Sequence, residues 1–243
     1  MRSLLTLDRV CKSHWRGPHE IPVLSEVSLA VDPGELVAVW GGRGSGKTTL
    51  ARLAVGLEEP DSGTVRFRGQ EISRAKDFAR LLHDQIGWVR RAGAQASELP
   101  TVADYLALPL LGKHSPRGAR RLAAAALERL GVGDCANASW SALTDGQRTL
   151  VSLAHALVRD PVLLVADDPT ASLNVLQREE VMLLLRRACD EDGLGVLITV
   201  PDMPEMAHAD TAAMLGDGRL ILPEPGKQRG GNVVKFPAKD QSA

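Results

Sequence analysis

The chain has 243 residues, 44% of them apolar and 24% charged, with a formal net charge of -1. That length suits one large α/β domain, or one domain with a small insertion, and the apolar share is enough for a sizeable core. Near-neutral charge and an aromatic content of 3% exclude a global electrostatic attraction to nucleic acid or an anionic membrane, and argue against a base-stacking surface.

The opening MRSLLTLDRV carries a basic residue and several leucines, but Asp8 interrupts it and the run is too short for a signal peptide. Leu5, Leu7 and Val10 alternate as in a strand. Short strands at 23–24 and 27–29 follow a turn at 16–22 rich in Pro, Gly and His. Pro33-Gly34-Glu35 is a tight turn, and the apolar run 36–40 is a buried strand leading directly into glycines. Helical periodicity covers 48–56, and a turn at Asp61-Ser62-Gly63 precedes a strand at 64–67. From 103 to 130 the composition is Ala, Leu and Arg, all helix formers, with a break near 112–116. Within it, 120–130 reads as an amphipathic helix with Gly131 as its C-cap. A second helix is expected at 146–159, then a strand at 162–166, a helix at 177–190, a strand at 195–199 and short strands at 212–215 and 220–222. Residues 223–243 read as a mobile tail in which Lys227, Arg229 and Lys235 are solvated. No apolar stretch approaches the roughly 20 residues that cross a bilayer, so a role at a membrane would take its spans from another chain. Cys11, Cys135 and Cys189 are far apart and in no metal-ligand spacing, and read as reduced thiols of a cytosolic protein.

Gly41-Gly42-Arg43-Gly44-Ser45-Gly46-Lys47-Thr48 fits G-x-x-x-x-G-K-[ST] between an expected strand and an expected helix. Glycines let the backbone curl until successive N–H groups point at an anion, and the following helix adds its positive end. In this reading Lys47 reaches the β- and γ-phosphates and the Thr48 hydroxyl ligates magnesium, with Thr49 the next residue of the loop; Arg43 is a solvated side chain. Strand 162–166 is apolar throughout and ends in Asp167 and Asp168. Asp167 reads as the acid that holds magnesium beside Thr48.

Between loop and acids lies Leu143-Thr144-Asp145-Gly146-Gln147, at the start of a helix. This segment resembles the signature of ATP-binding cassette proteins, usually Leu-Ser-Gly-Gly-Gln. The resemblance runs from about Leu5 to Leu222, through Val27-Ser28-Leu29, Pro33-Gly34-Glu35, Ala154-His155-Ala156-Leu157 and Asp217-Gly218-Arg219. Ile86-Gly87-Trp88-Val89, Thr101-Val102 and Leu108-Pro109-Leu110 are similar to the lipoprotein-release and macrolide-export branch. The resemblance implies an α/β fold: a P-loop NTPase (RecA-like) core, here 1–90 and 161–222, with an N-terminal antiparallel β subdomain. It also implies an inserted α-helical signature subdomain, here 91–160, ahead of the tail at 223–243. Two cassettes would pair head to tail around two ATP molecules with Mg2+, so that Thr144, Asp145, Gly146 and Gln147 act in trans on a partner's nucleotide. His14 or Trp15 would lie against the adenine. Closure would drive membrane-spanning permease subunits from the cytoplasmic face of the cell membrane.

Four positions depart from the family pattern. The water-orienting glutamate is Asp168, shorter by one methylene or roughly 1.5 Å of reach; a misplacement of about 1 Å can cost on the order of 100-fold in rate. The γ-phosphate histidine falls at Pro201, which has no side-chain donor and no N–H; another register offers Thr199 or Val200. The magnesium-ligating glutamine falls at Arg91, whose guanidinium has no acceptor, unless a loop shift brings in Gln95. The aspartate ending the small-residue turn is Asn174. Asp145 replaces a signature glycine; it could approach phosphate, point outward or meet a cation on the partner. Together these imply retained nucleotide binding with weakened hydrolysis, and favour a heterodimer with a competent second ATP-binding subunit over a homodimer. The competing readings are a non-transport switch module of a cell-envelope or DNA-associated complex, and a nucleotide sensor without turnover.

Overall fold

The computed structural model describes residues 3–72, 85–91, 99–201 and 203–222. The tail at 223–243, with Lys227, Arg229 and Lys235, and the alternative ligand Gln95 lie outside the described residues.

Two sheets organise the chain. The first is antiparallel, in the order β2-β1-β4-β5, from β1 (Leu5–Arg16), β2 (His19–Val31), β4 (Ser62–Phe67) and β5 (Gln70–Glu71). The second has six strands in the order β10-β9-β3-β8-β7-β6: β3 (Leu36–Trp40), β6 (Ile86–Val89), β7 (Leu163–Asp167), β8 (Gly195–Val200), β9 (Thr211–Gly216) and β10 (Arg219–Ile221). All its pairings are parallel except β9 with β10.

The sequence suggests two short strands and a wide turn where the structure has one long hairpin. The turn narrows to Gly17-Pro18, with Gly17 at φ 62, and Arg16 pairs with His19. Pro22 is tolerated within β2 because β2 is an edge strand, and register shifts along β1 absorb the irregularity. Ile86–Val89, marked in the sequence only by its family likeness, is the edge strand beside β7.

The central strands show why their sequences are apolar without alternation. Leu36 and Ala38 of β3 enter one core and Val37 and Val39 the other. Leu164 and Ala166 of β7 likewise face away from Leu163 and Val165. Side chains alternate faces, and both faces are covered, so every position must be apolar. One cover is α1 (Lys47–Ala54) with the antiparallel sheet. The other comprises α2 (Val102–Ala107), α3 (Pro116–Arg129), α4 (Asp145–Leu157) and α5 (Val175–Asp192).

Local chemistry sets the helix ends. Ser115 caps α3 by accepting from Gly118 N–H, with Pro116 pre-set for the first turn. At the other end Leu130, rather than Gly131, is the C-cap. Gly131 takes φ 69 just beyond it, while Val132 N–H donates to Leu127 O at 3.0 Å and Gly131 N–H to Glu128 O at 3.0 Å. Thr144 and Asn174 open α4 and α5 with reciprocal capping boxes to Gln147 and Gln177.

On the helical side, His155 stacks on Tyr105 with ring centroids 4.2 Å apart, and Trp140 meets Tyr105 edge-on at 5.6 Å. Burial, assisted by the nearby Arg159 charge, pushes the His155 pKa down to about 4. The unfolded chain therefore binds a proton between about pH 4 and pH 6.5 that the folded chain does not, and stability falls as the pH drops through that window. The expected loss is about 3 kcal/mol, from the usual 1.36 kcal/mol per unit. Chemical denaturation of His155→Phe between pH 7 and pH 4 should show a shallower acid-side decline than the parent; identical slopes would contradict this assignment.

Candidate functional site

The phosphate loop follows β3, which delivers it at the end of a strand buried on both faces. Gly44 and Gly46 adopt φ 82 and φ 104, left-handed values that a side chain would resist. A side chain built at Gly42 or Gly44 would meet nothing within 4 Å, so the loop is open around these two residues. Gly41 has no such room: a Cβ there would lie 2.5 Å from Leu215 O and from Ser45 Oγ. Gly42, Arg43 and Gly44 are exposed, whereas Lys47 and Thr49 are buried.

Lys47 folds back over its own loop. Its Nζ donates to Gly41 O at 2.6 Å and Gly42 O at 3.4 Å, and lies 3.7 Å from Asp168 Oδ2. Thr48, the next residue of α1, donates from Oγ1 to Asp167 Oδ1 at 3.2 Å. Loop and acids, 119 residues apart in sequence, thus meet at the carboxyl ends of β3 and β7, parallel strands with β8 between them.

Asp167 and Asp168 are each 2% exposed, and Thr199 on β8 is completely buried between strands. Its hydroxyl accepts from Asp168 N–H at 2.8 Å and lies in donating range of Asp167 Oδ1 at 3.0 Å and Asp168 Oδ1 at 3.3 Å. Asp168 stands at φ 44, a backbone state rare for a non-glycine residue and common where function constrains a chain. Burial raises its pKa; the Lys47 charge opposes that shift, Asp167 adds to it, and Arg91 and the Thr199 hydroxyl oppose it. Arg91, just beyond β6, brings Nη1 to 3.6 Å from Asp168 Oδ2, the same oxygen that faces Lys47.

At the signature, Thr144 Oγ1 accepts from Gln147 N–H at 3.3 Å and Gln147 Oε1 accepts from Thr144 N–H at 2.9 Å. Gly146 is buried against Gln177 of α5, whose Nε2 would lie 2.5 Å from an added Cβ. Thr144 and Asp145 remain exposed. Asp145 pairs with Arg148 on its own helix at 3.2 Å.

The ABC transporter family pattern matches residues 24–171. YvrO, an uncharacterized ABC transporter ATP-binding protein of Bacillus subtilis, is 31% identical over 226 residues, 92% of this chain and 98% of that protein. The chain belongs to the ABC transporter family. This cassette is also 34% identical over 228 residues to the macrolide export ATP-binding/permease protein MacB of Syntrophobacter fumaroxidans; the match covers 92% of the chain and 32% of that longer relative. Its fold superposes on the dimeric structure of MJ0796, a bacterial ABC transporter cassette, with a TM-score of 0.84 and 28% identity, over 93% of this chain and all of that one. A second dimeric structure of MJ0796, in a post-hydrolysis state bound to ADP and Pi, matches with a TM-score of 0.81.

The cassette's remaining candidates fall into two groups. His14 and Trp15 are neighbours on β1, so their side chains leave opposite faces of the strand. His14 Nε2 sits 3.2 Å from Glu58, just beyond α1, while Trp15 is 70% exposed near the hairpin tip. Asn174 accepts from Gln177 N–H at 3.0 Å as the α5 cap, a task it performs as well as aspartate. Pro201 follows β8, and its carbonyl accepts from Trp40 Nε1 at 3.1 Å. Thr199, considered in the sequence as a phosphate donor, is instead committed to the two acids. Two features are absent from the sequence reading: Thr199 as the clasp of the acid pair, and the meeting of Arg91 with Asp168. The second had a signal, since a new cation and a retained acid occupy two departing positions.

Thr199→Val would leave the buried Asp168 N–H without its acceptor and should cost about 1–3 kcal/mol in urea unfolding. Thr199→Ser should recover most of it; a valine variant as stable as the parent would remove Thr199 from this role.

Proposed function

We propose that this cassette is the ATP-binding subunit of a transport complex, binding Mg-ATP with Gly41, Gly42, Arg43, Gly44, Ser45, Gly46, Lys47, Thr48 and Thr49. One observation carries the reading: Lys47 and Thr48 converge on Asp168 and Asp167 beside an open glycine loop. Ser45 Oγ, buried without a hydrogen-bond partner among the described residues, adds an unused polar group in the same loop. These residues fit a triphosphate and a divalent cation: main-chain amides and an ammonium for the phosphates, a hydroxyl and a carboxylate for the metal. Magnesium, when bound, supplies positive charge to the β- and γ-phosphate oxygens. Thr48 and Asp167 are its ligands in this proposal, and His14 or Trp15 lies against the base.

The cassette core comprises 1–90 and 161–222, and 91–160 presents the signature. Thr144, Asp145, Gly146 and Gln147 complete the nucleotide site of a second cassette. Val175 and Leu176, 80% and 76% exposed beside the Asn174 cap, give the pairing face apolar area that a monomer would not need. The likeness to MacB, which joins such a region to a permease in one protein, supports separate membrane-spanning permease subunits as partners. In this reading the cassette sits peripherally, on the cytoplasmic face of the membrane. No described helix is long and apolar enough to cross it.

Hydrolysis by this chain is weak. Asp168 is short, buried and held between two cations, Pro201 offers no donor, and Arg91 cannot ligate a metal. A heterodimer follows: this signature serves a competent partner, while ATP on this loop acts as a clamp that stabilises the closed state by binding it more tightly. The purified chain should bind Mg-ATP with little turnover, and Asp168→Glu should raise turnover about 10- to 100-fold, the scale expected for restoring roughly 1 Å of reach. Rapid hydrolysis by the parent chain alone would refute the weakened site, and failure to bind ATP would refute the whole reading.

A further inference from the structure

Among the described residues, the charges around the acid pair balance without any ion. Asp167 and Asp168 are matched by Lys47 and Arg91, and both cations reach the same atom, Asp168 Oδ2, at 3.7 and 3.6 Å. The two cations differ in freedom. The Lys47 side chain is 8% exposed and anchored on the Gly41 and Gly42 carbonyls. The Arg91 side chain is 53% exposed, on a turn just after β6, and its pairing is a loose one.

An additional phosphate arriving beside Lys47 would bring negative charge next to Asp168, which is 2% exposed and has almost no water to screen it. Beyond Lys47, the other described side chains beside Asp168 offer little compensation. The single proton of the Thr199 hydroxyl is already within reach of both carboxylates, and Pro201 has no N–H. Arg91 can compensate. Its guanidinium carries five donors in a planar fork, so it can hold a carboxylate and a phosphate together. An ion pair at 3.6 Å with one half-exposed partner is also weak enough to be rearranged at small cost.

We propose that Arg91 is a specificity-determining residue that contacts the terminal phosphate of a bound nucleoside triphosphate and bridges it to Asp168, so that this site distinguishes ATP from ADP through a guanidinium. This rests on the reading that the loop binds ATP. The bridge supplies in cis the positive charge that the phosphate needs beside the buried acid. It also holds Asp168 through its carboxylate, which keeps that acid from orienting water.

Calorimetric titration of the full chain with ATP and with ADP, each with magnesium, tests it. Arg91→Ala should weaken ATP binding about tenfold, the low end for a charge-assisted hydrogen bond, and change ADP binding less than twofold. Arg91→Gln, which keeps the size and loses the charge, should behave like alanine, and Arg91→Lys should fall between alanine and the parent. An unchanged thermal midpoint of the nucleotide-free variants establishes that the fold survives. Equal weakening for ATP and ADP, or no weakening, would overturn the proposal. Tighter ATP binding would also overturn it and make the pair an inhibitory latch. If the parent chain bound neither nucleotide, the ATP-binding reading itself would fall; if the parent bound both and Arg91→Ala matched it, only the role of Arg91 would.

Discussion

Asp167 and Asp168 close a strand that is buried on both faces, and two adjacent carboxylates in such a place repel each other and lose their water. Everything around them answers that cost. Thr199 shares its hydroxyl between them and accepts the Asp168 N–H, Thr48 donates to one, and Lys47 and Arg91 face the other. The parallel sheet makes the arrangement possible, because β3, β7 and β8 lie side by side and end together. The glycine loop, the acids and the threonine clasp therefore converge without any long-range search by side chains.

In the proposed function the same convergence separates binding from chemistry, with the loop glycines, Lys47 and Thr48 as the phosphate-binding groups. Positions that depart from the family pattern hold structural interactions: Asp168 an ion pair, Asn174 a helix cap, and the Pro201 carbonyl an indole N–H. Each of these is a satisfied structural interaction rather than a vacancy. The departures from the family pattern are therefore compatible with the fold.

The helical side obeys a different constraint. α2, α3 and α4 share one continuous core with the sheet face, so the signature at the start of α4 is carried on a rigid support. Gly146 lets that start press against Gln177 of α5, whose own cap is Asn174. The signature and the small-residue turn are thereby coupled within one chain, through a glycine contact and two capping boxes.

The sequence by itself marked the central strands as buried, because apolar runs without alternation suit strands covered on both faces, and the family resemblance implied the core they build. It determined the phosphate loop, because glycine spacing followed by Lys-Thr is a local backbone device. It also determined the family. Strand extents were less legible: β2 absorbs a proline only because it lies at a sheet edge, and edge position is a property of the assembled sheet. Only the tertiary structure decided that Asp145 pairs with Arg148, that Thr199 clasps the acids, and that Arg91 meets Asp168. The last two join residues tens of positions apart through the order of strands β6, β7 and β8, and strand order is set by how the helices cover the sheet, not by any local run of residues.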